Sequence, residues 1–446
     1  MRLTGTSIGS ILKTSQQKPS RQFPPRPAPP AARPKWSDPN CAAARPYNTS
    51  HFLRPQFFFC FFFLFFSAAA MAPRLAMLGA IRPRAPPFSS SSLLVRTLRT
   101  MAETVPSTPI KVLRTVDAVR AWRRPKMADY RSVGLVPTMG ALHAGHLALI
   151  RAAARENHHV VVSIYVNPAQ FGASEDLDSY PVTWDSDTAA LAKLDRELAD
   201  DGGNLGRISA VFAPTTPEMY PSGFPGQEID SKGSFVTITP VAEVLEGASR
   251  PTFFRGVATV CMKLFNIVQP ERVYLGQKDV QQTVVLRRMV KDFMLPTEVV
   301  IEPTQREEDG LAMSSRNVYL GPRRRAVAIA LYSALRTTEA LYNIGLLDRA
   351  SLLEAANEVV ASVLKEQRQL PADLRALFEV DYISLADPDT LREVDTVDPE
   401  KGAILSGAIK MLSLEQAREG EDVGHSGGPP VRLIDNIILK PKQKEE

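Results

Sequence analysis

Pro137-Thr-Met-Gly-Ala-Leu-His-Ala-Gly-His146 decides how this chain is read. It follows Val133–Pro137, a short apolar run of strand type. It opens Gly145–Asn157, where Leu147, Ile150 and Ala154 recur at helical spacing. A strand that passes through a glycine-containing turn into a helix is the unit of a parallel α/β sheet, and in such sheets ligands bind at the carboxyl ends of the strands. Gly140 and Gly145 permit close backbone approach, and the helix N-terminus offers N–H groups and positive potential to phosphate. His143 and His146 flank that point and can hydrogen-bond or protonate phosphoryl oxygens. The whole chain has 6 His, so two in one short stretch after a strand weigh against incidental surface placement. Zinc would need a third ligand, and none is visible nearby.

Outward from this stretch the chain alternates. Val160–Val166 is a nearly continuous β-branched run, as expected of a strand buried on both faces. Asp187–Asp200 reads as helix, Ala210–Ala213 as strand, Phe254–Val268 as buried helix, Arg272–Leu275 as strand, Asp279–Phe293 as helix and Thr297–Glu302 as strand. The alternation predicts a Rossmann-like, doubly wound parallel sheet of the α/β class. After Pro303 the texture changes. Arg323–Tyr342 and Leu352–Arg368 are amphipathic, and Phe378–Leu385, Ala403–Leu412 and Val431–Leu439 are strand-like, which predicts a smaller C-terminal α+β domain. The expected organisation is a disordered or targeting leader over 1–105, a Rossmann-like domain over 106–303 and an α+β lid over 304–446.

Charge separates the leader from the rest. Residues 1–102 hold 14 Lys/Arg and one acid (Asp38), a balance of +13; residues 103–446 hold the other 39 basic and 47 acidic residues, a balance of −8. The overall +5 therefore gives no reason to expect nucleic-acid binding by the body. The leader contains an apolar run, 57–72, rich in Phe, that is short for a membrane span. Its 71–102 segment is Arg- and Ser-rich and acid-free, the composition of a mitochondrial presequence. Three readings stay open: a membrane anchor, a start at Met71 with mitochondrial targeting, or a start at Met101 and a cytoplasmic protein. No stable membrane association is expected of the body. Its lone thiol, Cys261, excludes a disulfide framework and reads as a buried small apolar residue.

Three further motifs fall at strand ends or near the domain junction. In Asn167-Pro-Ala-Gln-Phe-Gly172, Gln170 carries donor and acceptor groups suited to a small polar acid. In Leu275-Gly-Gln-Lys-Asp-Val-Gln-Gln282, Lys278 supplies a point charge for phosphate, Asp279 can cap the next helix, and Gln282 lies one turn in. In Asp309-Gly-Leu-Ala-Met-Ser-Ser-Arg-Asn317, Ser314, Ser315 and Arg316 suit a triphosphate tail. Asp185 and Asp187 are candidate Mg²⁺ ligands, or equally acids favoured at a helix N-terminus.

Taken in this order, PTMGALHAGH, NPAQFG, EDLDSYP, LEGASRP, FRGVATV, LGQKDVQQ and DGLAMSSRN resemble the pantothenate synthetase (pantoate–β-alanine ligase) family, within the HxGH nucleotidyltransferase superfamily. The resemblance covers roughly residues 108–440. It implies that pantoate attacks the α-phosphorus of Mg-ATP to give pantoyl adenylate and pyrophosphate, and that β-alanine then gives pantothenate and AMP. It implies an ATP site at Met139, Gly140, His143, Gly145, His146, Gly276, Gln277, Lys278, Asp279, Met313, Ser314, Ser315 and Arg316, with His146 as proton donor and His143, Lys278 and Arg316 beside the phosphates. Gln170 and Gln282 would bind pantoate, Gln170 also lying near β-alanine, and the family implies a homodimer. Phe253 stands where bacterial relatives usually have His, Val280 where an aromatic residue is frequent, and Ser186 breaks the acidic run. The rival readings are a nucleotidyltransferase that moves AMP onto a phosphate and a catalytically silent nucleotide-binding scaffold. Neutral Gln clamps argue against the first, and four intact motifs against the second.

Overall fold

The structure, a computed structural model, describes residues 103–172 and 175–442. The leader's 57–72 run and its 71–102 presequence-like segment lie outside the described residues. Regular structure begins upstream of the expected boundary at 105. Glu103–Thr104 (β1) pair antiparallel with Lys111–Leu113 (β2), and Val105 is buried.

The chain continues through α1 (Val116–Ala128), β3 (Val133–Thr138), α2 (Ala144–Glu156), β4 (His159–Ile164), α3 (Trp184–Asp200) and β5 (Arg207–Phe212). Then follow α4 (Phe253–Val268), β6 (Arg272–Gly276), α5 (Val280–Asp292) and β7 (Glu298–Glu302). The sheet order is β1-β2-β5-β4-β3-β6-β7, parallel from β2 onward. From β3 the chain steps outward to β4 and β5, then crosses back to β6 on the other side of β3. That reversal sets the switch point between β3 and β6, where PTMGALHAGH leaves one strand and LGQKD the other.

Both faces of the sheet are covered, which explains the continuous apolar strands. Leu135 packs in a cluster with Val119, Trp122 and Leu264, whereas its neighbour Val136 packs with Ile150 and Leu191. On β4, Val161 belongs to the first cluster and Val160 and Val162 to the second, the period-2 alternation of a strand between two helical layers.

Helix α1 buries one narrow stripe, Val119, Trp122 and Arg123, and carries Asp117, Arg120, Arg124 and Lys126 around it. Thr115 accepts a bond from the Ala118 N–H and starts it; Pro125 is tolerated near its end. The C-terminal part contains α6 (Gly321–Ala328), α7 (Ala330–Asn343), α8 (Arg349–Gln369) and the antiparallel sheet β10-β9-β8, with β8 Phe378–Ala386, β9 Ala403–Met411 and β10 Val431–Leu439. The single helix expected over Arg323–Tyr342 is two, α6 and α7, meeting at Ile329, whose ψ of −11° leaves the α-helical value. Together these make the α/β fold with a smaller α+β C-terminal part. Among the described residues no helix is long and apolar enough to cross a membrane.

Candidate active site

A cleft of about 1220 Å³ opens at the switch point, walled by the ends of β3 and β6, the turn after β4, the 313–317 segment and β10. Single-ligand pockets run to roughly 1,000 Å³, so this one has room for a nucleotide and a second small molecule.

His143 caps α2. Its Nδ1 accepts from the Gly145 N–H at 3.2 Å, while His146 Nδ1 accepts from the His143 N–H at 3.4 Å. The ring centroids lie 4.1 Å apart. With both Nδ1 atoms accepting, each neutral ring carries its proton on Nε2. Burial, and next the Lys278 charge, push His143 down to about 4. Burial, then His143, then Lys278, push His146 down to about 3. His146 is therefore a neutral Nε2–H donor at pH 7. A buried imidazolium beside a lysine is disfavoured, so the proton His146 can offer is that of the neutral ring's Nε2–H.

The loop before α2 is pinned from below by Asp187. Its carboxylate accepts from the Ala141 N–H at 3.0 Å, the Leu142 N–H at 2.8 Å and the Thr183 hydroxyl at 3.1 Å. Gly140, at φ +84°, passes so close that a Cβ would sit 3.0 Å from Asp187 Oδ2. Asp187 is buried and Asp185 exposed, and neither lines the cleft. The expected magnesium ligands are thus not brought to the site. Asp187 is consumed by backbone donors and Asp185 sits on the outer first turn of α3.

Gln170 lines the cleft on a short turn after β4. Its Nε2 donates to Met139 Sδ at 3.2 Å, and its Oε1 accepts from Asn167 Nδ2 at 3.1 Å. Asn167 itself is buried and also accepts from Tyr220 Oη at 2.7 Å. Helix α4 closes on this turn at Gly256, where a Cβ would lie 2.0 Å from the Ala169 carbonyl. Asn167 was the readable signal missed in the NPAQF motif: a buried amide that orients Gln170.

Across the cleft, Lys278 Nζ stands 3.5 Å from Asp279 Oδ1, and a side chain at Gly276 would meet no protein atom within 4 Å. Gln277, Lys278 and Gln282 are all partly buried, and Gly276, Lys278, Asp279 and Gln282 line the cleft. On the facing segment Ser314 accepts from the Arg316 N–H at 3.2 Å, and Ser315 Oγ donates to the Ala141 carbonyl at 3.0 Å, so this turn touches the histidine loop. Met313 lines the same wall. Arg316, expected as a phosphate clamp, is instead forked onto Asp176 at 2.9 and 2.8 Å, 5.5 Å from the Tyr180 ring centre. EDLDSYP thus supplies Asp176 and Tyr180 to the site, which composition did not mark. Cys261 also reaches the wall, but burial pushes its thiol up to about 12, which keeps it unreactive.

A site of this build belongs to the α/β enzymes that handle nucleotides. The Pantoate-beta-alanine ligase family model matches residues 111–438. A pantothenate synthetase of Roseiflexus castenholzii is 43% identical over 328 residues, 74% of this chain and 100% of its own. The pantoate–β-alanine ligase of Saccharomyces cerevisiae is 38% identical over 340 residues, 74% of this chain and 100% of its own. The crystal structure of the Thermus thermophilus pantothenate synthetase superposes with a TM-score of 0.57 at 38% identity, covering 73% of this chain and 98% of that one. That of the Francisella tularensis pantoate–β-alanine ligase, complexed with beta-gamma ATP and β-alanine, gives 0.52 at 29% identity, covering 74% and 99%. This chain belongs to the pantoate–β-alanine ligase family.

Proposed function

We propose that the enzyme joins pantoate to β-alanine at the expense of ATP, through a pantoyl adenylate, as a step of pantothenate and coenzyme A biosynthesis. The observation that carries this is the meeting, in one cleft, of phosphate-type donors and side-chain amides. His143, His146 and Lys278 supply the first, Gln170 and Gln282 the second. A pantoate carboxylate oxygen attacks the α-phosphorus, the bond from that phosphorus to the bridging oxygen breaks, and pyrophosphate leaves. The β-alanine amine then attacks the acyl carbon, loses a proton and expels AMP. The crowded phosphorus gathers negative charge, which Lys278 and the two Nε2–H donors meet. The Gln282 side chain has no protein hydrogen-bond partner among the described residues, so its amide is available to an acid. Gln170 is held by Asn167 and Met139, which suits positioning rather than proton transfer.

Magnesium enters as the counter-ion of ATP. Among the described residues no group of three His, Cys, Asp or Glu can hold a metal, and magnesium on a nucleotide needs only one or two protein ligands besides phosphate oxygens. Met139, Gly140, Gly145, Gly276, Gln277, Asp279, Met313, Ser314 and Ser315 complete the proposed ATP surface. The 304–446 part would act as its lid, and the working form would be a homodimer, testable by sedimentation.

The deciding experiment follows products. Pyrophosphate must require pantoate, and AMP must appear only once β-alanine is added. Pyrophosphate release without pantoate would sink the proposal and favour AMP transfer to another acceptor.

A further inference from the structure

We propose that strand β10 positions the Gln277–Gln282 segment from two points, one behind the nucleotide loop and one behind the acid clamp, with Arg432 and Asn436 as positioning residues. The proposal rests on the pantoate and ATP reading given above.

Arg432 and Asn436 lie on the same face of β10, because side chains alternate along a strand. At about 3.3 Å per residue they stand roughly 13 Å apart. Asn436, 1% exposed, donates its amide to the carbonyls of Gln277 and Lys278 at 2.9 and 2.8 Å and accepts from Gln277 Nε2 at 3.2 Å. One end of the strand thus grips the loop that presents Lys278.

The other end grips the turn behind Gln282. Arg432 pairs with Glu246, 5% exposed, and its Nε donates to Asp381 at 2.9 Å. The second Glu246 oxygen accepts from Tyr382 Oη at 3.0 Å. Both carboxylate oxygens are therefore committed, and Glu246 is not a catalytic group. Its backbone N–H donates to Gln281 Oε1 at 3.0 Å, and Gln281 Nε2 returns to the carbonyls of Val241 and Val244 at 2.9 and 2.7 Å. Gln281 is the chain neighbour of Gln282, so the turn and the acid clamp are knitted into one piece.

Two irregularities mark this junction as built. Leu245, a non-glycine residue at φ +50°, sits immediately before Glu246, a strained conformation that its surroundings must hold. In β8, a bulge between Val380 and Tyr382 leaves Asp381 out of register. Consecutive strand residues ordinarily point to opposite faces, and the bulge lets Asp381 and Tyr382 both reach the Arg432–Glu246 pair. One strand of the small sheet therefore holds the Gln277–Gln282 segment at two points, and a displacement of about 1 Å there is enough to cost 10²-fold in rate.

The test uses the full chain with Arg432→Met, Arg432→Lys and Asn436→Ala. Pyrophosphate release is measured while ATP and pantoate are varied separately, thermal unfolding is recorded, and binding of a non-hydrolysable ATP analogue is titrated. Arg432→Met should raise KM for pantoate about tenfold, or about 1.4 kcal/mol, and leave KM for ATP near wild type. Asn436→Ala should do the reverse and weaken analogue binding about tenfold. Arg432→Lys should recover most of the pantoate KM, and if Arg432→Met does not fold, its smaller rise in pantoate KM alone carries the prediction. A uniform fall in kcat with both KM values unchanged, or losses that merely track Tm, would overturn the proposal, as would wild-type analogue binding by Asn436→Ala. A wild-type enzyme with no pantoate-dependent turnover refutes the proposed substrate instead, and the analogue titration still judges the strand.

Discussion

Asp187→Ala separates two views of one carboxylate. If Asp187 is the pin beneath the histidine loop, its removal leaves the Ala141 and Leu142 N–H groups and the Thr183 hydroxyl without their acceptor. An unsatisfied donor in a buried setting costs about 1–3 kcal/mol, so the two part-buried N–H groups alone predict a loss of at most roughly 2–6 kcal/mol. For a body of this size that lowers Tm by roughly 3–8 °C. The same loop carries Ala141 at φ +49°, a left-handed conformation that Asp187 helps to hold. Relaxation there shifts His143 and His146, and a displacement of about 1 Å predicts a fall of about 10²-fold in kcat. Pyrophosphate release and thermal unfolding measure the two effects. A magnesium titration discriminates the views: a lost metal ligand is offset by more magnesium, whereas a lost pin is not. Recovery of turnover at high magnesium with an unchanged Tm would refute the reasoning.

The remaining predictions use other parts of the site. His146→Ala should lower adenylate formation by about 10²-fold, the range of a positioned proton-sharing group, while His146→Gln, which keeps an N–H donor, should retain more; equal loss would remove the donor role. Because both His pKa values are depressed, to about 4 and about 3, the neutral forms belong to the folded state. Their contribution to stability is full above about 6.5, the unfolded value, and drains away as pH falls towards 4 and 3. An acid limb in kcat/KM near 6.5 that disappears in His146→Gln would contradict this. Gly256→Ala drives a Cβ into the Ala169 carbonyl; a shift of the turn should raise KM for pantoate, and a wild-type KM with wild-type Tm would show the helix simply yields. Asp176→Asn weakens the fork on Arg316 and should lower KM for ATP if that arginine is then free to meet phosphate. A rise in KM would show that the pair is needed as it stands.

The parallel sheet was legible because β3 to β6 carry a dense apolar signal, as in Val160–Val162, whereas the three-residue β2 carries too little to be read. The histidine pair was legible because a strand end and a helix start fall within one glycine-containing stretch. What stayed hidden was set by tertiary partners. Nothing local distinguishes Asp187 as a loop pin from Asp187 as a metal ligand; the difference is the two N–H groups that arrive from residues more than forty positions earlier. Arg316 reads as a free cation until Asp176, 140 positions away, is seen against it. Arg432 and Asn436 carry no motif of their own, since their meaning is the walls they touch. Helix α1 escaped because only one narrow stripe of it is buried.

The pairing of cations also changes what the site asks of its nucleotide. Lys278 and Arg316 with two protonable histidines would form a strongly positive pocket. In the folded enzyme both histidines are held neutral, Arg316 is balanced by Asp176, and Lys278 lies beside Asp279. The cleft therefore meets phosphate with oriented donors and close to no net charge. A bare polyanion would gain little there, while a nucleotide already partly neutralised by magnesium would lose less hydration on entry and keep its hydrogen bonds. On the proposed reaction this places the main charge compensation on the metal that arrives with ATP. On that reaction the protein's share would be geometry: two Nε2–H groups and one ammonium placed where charge would develop at the α-phosphorus, with Gln282 as the proposed hold on the attacking acid.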